Sequence, residues 1–273
     1  MTLTRRQVHD LLEDNGIRPS RALGQNFVAD PNTVRRIAAL AELEPGRPVL
    51  EIGAGLGSLT LALAETGARL VSVETDRRLV DVLRAQAEPL GVRVVAGDAL
   101  ELDLAGLLEG DERWAMVANL PYNVAVPLVM RVLDELPMVD RMLVMVQREV
   151  GERLAAAAGD AAYGAVSVKV AYHAEAKVVG RVPATVFIPK PRVESVLVRL
   201  VRRPHVAVDP QEVGADRLFT VVRAGFAHRR KMLRRALSGV VEEEAFTRAG
   251  IDPRARAEEL SVEQWGRLAA CSV

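Results

Sequence analysis

The chain has 273 residues, 49% hydrophobic and 26% charged, with 36 basic and 36 acidic side chains and a formal net charge of +0. That is ordinary for a globular protein and leaves room for one large domain and a small one. No apolar run approaches the ~20 residues needed to cross a bilayer, and the start, Met1-Thr2-Leu3-Thr4-Arg5-Arg6, lacks the apolar core of a secretion signal. The single cysteine, Cys271, has no companion for a disulfide or a Cys-based metal site. His9, His173, His205 and His228 are scattered, with none at ligand spacing. The expectation is a monomer in a reducing cytoplasm, with no membrane and no metal.

Zero net charge hides a split. Residues 186–241 carry 12 Lys/Arg against 4 Asp/Glu, residues 1–185 carry 20 against 25, and residues 242–273 carry 4 against 7. A basic segment between two acidic ones points to a localised polyanion-binding face. Arginine outnumbers lysine 32 to 4, a compositional bias that weakens the case for any single arginine.

In chain order, Gln25-Asn26-Phe27 reads as a turn or a lid over a ligand. Asp30-Pro31 then caps a helix through Val34, Ile37, Ala38 and Ala41. Pro45-Gly46 opens the main domain. Val49-Leu50-Glu51-Ile52 reads as a strand, Gly53-Ala54-Gly55-Leu56-Gly57 as a glycine turn and Ser58 to Glu65 as a helix. A second strand, Leu70 to Val73, closes on Glu74, and Asp76 caps the next helix. The third strand, Val92 to Ala96, runs into Gly97-Asp98. The fourth, Trp114 to Ala118, ends in Asn119-Leu120-Pro121-Tyr122, and the fifth is Met142 to Val146. Such strand–helix alternation implies right-handed βαβ units and a parallel sheet.

The pattern then changes. A small-residue helix is expected over Leu154 to Ala158 and another through Val170, followed by strand-like runs at Ala176–Val182 and Ser195–Val201. Their close spacing suggests a terminal antiparallel hairpin on the sheet. Arg202-Arg203-Pro204 reads as a boundary. Beyond it Phe219, Val222, Phe226, Leu233 and Leu237 keep a helical period that Gly225 or His228 breaks. Seven cations and no acid lie between 217 and 235. The division expected is 1–204 for a catalytic domain and 205–273 for a helical, basic one.

The glycine turn lacks the third glycine of a dinucleotide fingerprint, because Ser58 stands where it would fall. A G-x-G-x-G loop suits a ligand without phosphates, and S-adenosylmethionine is that ligand. Glu74 can accept both ribose hydroxyls and Asp98 an adenine amino proton; each alone is more often a solvated strand end or helix cap, but with the glycine turn they make three such features at successive strand ends. Asn119 offers an amide and Tyr122 a ring at the mouth of a strand, an arrangement suited to a planar base with an exocyclic amine. The plainer reading of that tetrapeptide is a proline turn capping a strand.

With these pieces placed, the chain resembles the rRNA adenine N6-dimethyltransferase family, and within it the small-subunit type, from about Arg21 to Leu268. The carriers are RALGQNF (21–27), EIGAGLG (51–57), VET (73–75), GDAL (97–100), NLPYNV (119–124), FIPKPRVES (187–195), FAHRRKMLRRAL (226–237) and RAEELS (256–261). The resemblance implies an α/β, Rossmann-like class I S-adenosylmethionine-dependent methyltransferase with a mostly parallel sheet, plus a small helical C-terminal domain. It implies N6,N6-dimethylation of two adjacent adenines in a loop near the 3′ end of small-subunit (16S) rRNA during ribosome biogenesis. Cofactor contacts would come from Asn26, Val28, Gly53, Gly55, Glu74, Asp98 and Asn119. The target-base pocket would come from Asn119, Leu120, Pro121, Tyr122 and Phe187. Arg223, Arg229, Arg230, Lys231, Arg234, Lys190 and Arg192 would meet RNA.

Three rivals remain. The large-subunit resistance clade shares NLPY and the Phe187 segment but lacks the Arg-Arg-Lys pattern. An assembly factor that merely clamps rRNA has no use for an intact Asn119 and glycine turn. A DNA adenine methyltransferase favours an acid in place of Asn119.

Overall fold

The computed structural model describes every residue except Met1, Glu109, Asp111 and Val273. The chain divides into two compact units, Met1–Gly151 with Lys177–Val201, and Glu152–Ala176 with Arg202–Val273. The C-terminal break falls within three residues of the expected 204. Residues 152–176, expected in the catalytic domain, instead belong to the second unit. Their apolar side chains Tyr163, Val168 and Tyr172 share a core with Leu218, Val222 and Trp265. Sequence adjacency to the last parallel strand gave no hint of that.

The first unit opens with α1 (Arg5–Asp14), a helix absent from the sequence reading although its signal is there: Thr4 and Gln7 form a reciprocal capping box. Next come β1 (Phe27–Val28) and α2 (Pro31–Leu40), the latter capped by Asp30 with Pro31 in its first turn, as expected. The βαβ series follows as β2 (Pro48–Ile52), α3 (Ser58–Ala64), β3 (Arg69–Glu74), α4 (Arg77–Ala87), β4 (Arg93–Ala96), α5 (Leu104–Leu107), β5 (Trp114–Asn119), α6 (Ala125–Glu135) and β6 (Val139–Gln147). Then α7 (Arg148–Leu154) and α8 (Ala165–His173) precede β7 (Ala174–Val182), β8 (Phe187–Ile188) and β9 (Ser195–Arg202).

Seven strands make one sheet in the order β4-β3-β2-β5-β6-β9-β7. The pairs β2–β3, β3–β4, β2–β5 and β5–β6 are parallel, and β9 lies antiparallel to β6 with Gln147 opposite Ser195. Alternate strand residues, among them Val49, Ala115, Val117, Leu143 and Met145, share a core with Ile37 of α2, Leu63 of α3 and Leu83 of α4. Separately, β1 pairs with β8, setting Val28 opposite Phe187.

One expected helix is absent, and one of two expected break points is chosen over the other. The helix expected over Leu154 to Ala158 is a turn, because α7 ends at Leu154 and the Asp160 carboxylate accepts from the Ala157 N–H at 2.8 Å. In the second unit α9 (Ala215–Ala227) runs straight through Gly225 and stops at His228. A Cβ on Gly225 would sit 2.5 Å from the Trp265 ring, so this glycine permits close packing rather than breaking the helix. The remaining helices are α10 (Leu233–Ala236), α11 (Glu243–Ala249) and α12 (Val262–Ala270). Trp265, fully buried, is the largest side chain of the second core, and the Tyr163 hydroxyl donates to the Leu260 carbonyl at 2.9 Å. Among the described residues no helix is long and apolar enough to cross a membrane.

Candidate active site

Strand order reverses between β2 and β5: the chain crosses from β2 to β3 on one side and returns to β5 on the other. Such a switch point opens a crevice beyond the carboxyl ends of the strands. The glycine turn follows β2 and Asn119 closes β5, so the two motifs flank the same opening. A cavity there is lined by residues 23–28, 53–56, Ser58, Leu59, Glu74, Thr75, Leu79 and 119–122. Asn26, Val28, Gly53, Gly55, Glu74, Asn119, Leu120, Pro121 and Tyr122 all belong to that lining.

The turn hugs its neighbours. Gly53 (φ +77) and Gly55 (φ +60) adopt left-handed backbone that favours glycine. A Cβ on Gly55 would stand 3.1 Å from the Phe27 ring, and one on Gly53 would stand 3.4 Å from the Asn119 backbone carbonyl. Glu74 fixes the turn from below. One carboxylate oxygen accepts from the Gly55 N–H at 2.7 Å and the other from the Asp76 N–H at 2.9 Å. Glu74 is 5% exposed, and burial raises its carboxyl above the usual range despite these bonds. Each oxygen keeps a lone pair for a ligand hydroxyl.

Among the described residues Glu74 is also the sole charged side chain in the lining, with no Lys or Arg beside it. A phosphate would find no cation here. A nucleoside with a cationic sulfur and an ammonium group meets one carboxylate, a row of backbone groups and apolar walls of Phe27, Leu56 and Leu79. The donor set therefore fits S-adenosylmethionine and argues against a dinucleotide.

Asn119 is held from the opposite side. Its Nδ2 donates to the Asn26 backbone carbonyl at 3.1 Å, which leaves Oδ1 as the acceptor end of the amide. The Leu120 N–H bonds to the Met145 carbonyl at 3.1 Å, tying the loop to β6. Tyr122 is pinned through its phenol, 2.8 Å from the Ser195 hydroxyl at the start of β9. Partial burial raises the Tyr122 pKa, so the ring stays neutral. Ser195 belongs to a quoted motif, yet no role for it was legible, since only the fold brings 122 and 195 together.

Two of the expected site residues lie outside the lining. Phe187 is 1% exposed and packs in the core of α2, α3 and α4, opposite Val28 in the β1–β8 ladder, so its ring does not line the cavity. A hydrophobic strand residue takes the burial that the sheet offers. Asp98 also lies outside that lining. It is exposed, accepts from the Leu100 N–H at 2.8 Å, and lines a neighbouring recess with Arg77, Arg84 and Glu101. Thr75 borders both spaces, so the recess lies one residue beyond Glu74.

In the second unit the expected RNA-contacting residues separate into two sets. Arg229 is engaged internally: its Nε bonds to Glu258 at 2.9 Å and its Nη2 to the Ala161 carbonyl at 2.7 Å. Arg217 likewise serves the fold, donating to the Val240 carbonyl at 3.0 Å. Arg223, Arg230, Lys231 and Arg234 are exposed, with Arg223 resting on the Thr220 hydroxyl at 3.2 Å. Lys190 and Arg192 are exposed on the first unit, in the loop between β8 and β9. Among the described residues no three His, Cys, Asp or Glu side chains are placed to hold a metal ion.

Comparison with known proteins follows the same lines. Residues 18–271 match the family model described as ribosomal RNA adenine dimethylase. A protein of Thermobifida fusca (strain YX) named ribosomal RNA small subunit methyltransferase A is 46% identical over 278 residues, covering 98% of this chain and 95% of that protein. One of the same name from Kineococcus radiotolerans is 47% identical over 278 residues, covering 98% and 91%. The crystal structure of the 23S rRNA methyltransferase ErmE superposes with a TM-score of 0.70 at 28% identity, covering 90% of this chain and 99% of that one. A dimethyladenosine transferase from Plasmodium falciparum gives 0.71 at 22% identity over 88% and 94%, a likeness of fold.

Proposed function

Since the chain belongs to the ribosomal RNA adenine dimethylase family, we propose that it uses S-adenosylmethionine to dimethylate N6 of adenines in small-subunit rRNA. The observation that carries this reading is the Asn119 amide, oriented at the carboxyl end of β5 beside a crevice whose one charged side chain is Glu74. When bound there, S-adenosylmethionine supplies a methyl group already activated by a sulfonium.

The residues then have to place and orient a weak nucleophile. The N6 lone pair of adenine is delocalised into the ring. Asn119 Oδ1 and the Leu120 carbonyl each accept one N6 hydrogen, which favours a pyramidal nitrogen with its lone pair aimed outward. Those bonds strengthen as positive charge develops on the nitrogen. Pro121 holds the loop extended, and the Tyr122 ring, pinned by Ser195, offers a stacking face to a base taken out of its helix. Phe187 supports the pocket from the core, through Val28, rather than forming a second stacking face. The chemistry calls for no general base, and the Glu74 carboxylate, bonded to the Gly55 and Asp76 N–H groups, serves the cofactor side instead. The methylated nitrogen is acidic enough to release its proton to water. Gly53, Gly55, Asn26 and Val28 shape the cofactor side, and Asp98 contacts the adenine end from the recess beyond Thr75. Arg223, Arg230, Lys231, Arg234, Lys190 and Arg192 supply phosphate contacts on the two units.

Small-subunit specificity draws support from two near full-length relatives of that name at 46% and 47% identity, against 28% for the 23S enzyme. The test is to offer labelled S-adenosylmethionine with undermethylated small subunits and, separately, large subunits. Label should enter small-subunit rRNA. Label confined to the large subunit would move the chain to the resistance type.

A further inference from the structure

Gln25 is the one polar residue of the Gln25-Asn26-Phe27 motif that the proposed chemistry leaves without a task. Both ends of its side chain are engaged. Oε1 accepts from the Ser20 N–H at 2.7 Å, closing the 20–25 turn on itself, and Nε2 donates to Asp76 Oδ2 at 2.8 Å. Asp76 lies two residues past Glu74 and is 7% exposed, and its other oxygen caps α4 through the Arg78 N–H at 3.1 Å. Bonds from Arg78 pull the Asp76 carboxyl down to about 2, so the acceptor is charged at any working pH. The far side of the same segment rests on the β5 loop. A Cβ on Gly24 would stand 3.0 Å from Asn123 Oδ1 and 3.2 Å from Pro121 Cβ, a space left only by glycine, and the Asn26 carbonyl receives the Asn119 amide at 3.1 Å.

We infer that Gln25 is a positioning residue for methyl transfer: its bond to Asp76 latches residues 20–26 across the switch point, so that the Asn26 carbonyl holds the Asn119 amide with Oδ1 toward the base. The inference rests on the function proposed above. Without the latch the segment is still tethered at β1, but nothing fixes its approach to the end of β3. The Asn26 carbonyl then wanders, and the Asn119 amide is free to rotate its donor end toward N6, where two N–H groups would face each other. Residues 24–28 also wall the cofactor crevice, so a loose segment weakens cofactor binding as well.

The polarity of the latch provides its own test. In Asp76→Asn the cap on α4 is kept by Oδ1, but the replaced Oδ2 also accepts from Arg78 Nη2 at 2.7 Å, so the new NH2 faces both the Gln25 NH2 and that guanidinium, donor against donors. In Gln25→Glu two carboxylates face each other. In the double variant, Gln25→Glu with Asp76→Asn, the amide at position 76 donates to the carboxylate at position 25. That carboxylate still accepts from the Ser20 N–H, so the latch re-forms with reversed polarity. Each single variant should lower kcat on undermethylated small subunits by roughly ten-fold or more. KM for the subunit should stay near wild type. Calorimetric affinity for S-adenosylmethionine should fall, and the double variant should recover much of both losses relative to Asp76→Asn, with which it shares the lost Arg78 Nη2 bond. Melting temperatures of all three check that the comparison is made on folded protein, and a purely structural defect would not be rescued in kcat by the swap. Wild-type kcat in both single variants, or a double variant no better than the worse single, would overturn the latch. If the wild-type enzyme itself methylates no adenine, the proposed function falls. The latch is then judged on cofactor affinity alone, standing if the double variant regains what the singles lose and falling if it does not.

Discussion

Polar side chains do opposite work in the two units. Around the crevice they turn inward and bond to backbone: Glu74 to Gly55 and Asp76, Asn119 to Asn26, Gln25 to Ser20 and, side chain to side chain, Asp76. In the helical unit the cations divide, with Arg217 and Arg229 engaged by internal carbonyls and a carboxylate while Arg230, Lys231 and Arg234 stay at the surface. Removing a group of the first kind deforms a site. Removing one of the second kind changes a long-range field and little else.

The largest effect that would sharpen this contrast lies at Asn119. Asn119→Ala should lower single-turnover methyl transfer on the order of a hundred- to a thousand-fold. Affinity for the ribosomal particle should persist, because one neutral side chain adds little to polyanion binding. Near-wild-type turnover would remove the amide from the chemistry.

Glu51 is the most buried acidic side chain among the described residues. It is 1% exposed, accepts from the Ser72 hydroxyl at 2.7 Å, and burial raises its pKa from 4.5 to about 7. Between those values the folded chain holds a proton that the unfolded chain has lost. Stability should therefore fall as pH rises from 4.5 to about 7, by on the order of 3 kcal/mol, and level off above. Glu51→Gln should abolish that fall. Denaturant unfolding at about pH 5 and about pH 8, either side of most of that window, checks it. Identical pH dependence in the two proteins would refute the buried, protonated acid.

Glu74 and Asp98 test the contrast within one unit. Glu74→Gln sets an NH2 against one of two backbone N–H groups and should cost about ten- to a hundred-fold in cofactor affinity. Asp98→Asn disturbs a single bond to the Leu100 N–H on an exposed turn and should cost less. Calorimetry ranks them, and unchanged affinity in Asp98→Asn would remove Asp98 from the cofactor site.

The smallest effects belong to the arginines. Replacing Arg230, Lys231 and Arg234 together by Ala should flatten the log–log salt dependence of particle binding by roughly 0.7–0.9 for each phosphate no longer neutralised. Arg229→Ala should leave that slope unchanged. It should instead lower stability by about 1 kcal/mol or less, since the Glu258 pair is partly exposed. A flattened slope for Arg229→Ala would return that residue to the RNA-facing set.

Strand ends were the readable part of this molecule. Hydrophobic runs closing on Glu74 and Asn119 place those residues at the carboxyl edge because a parallel sheet leaves nowhere else for them, and the glycine spacing narrows the ligand. Asp98 ends a strand too, yet which recess it enters depends on how its own turn folds, and that is not written in spacing. Phe187 reads as an available aromatic until β1 pairs with β8 and buries it. Ser195 and Gln25 act through partners 73 and 51 residues away, at separations that no local pattern encodes. Arginines are the least legible: Arg229 and Arg230 are adjacent and chemically identical, yet Glu258 and the Ala161 carbonyl engage Arg229 while Arg230 faces solvent.

Undermethylated small subunits should be incubated with the wild-type chain and S-adenosylmethionine, and the rRNA digested to nucleosides for mass spectrometry. The expected result is N6,N6-dimethyladenosine, absent without the chain and lost with Asn119→Ala. Methylation on another base, or adenosine that never passes the monomethyl stage, would contradict it.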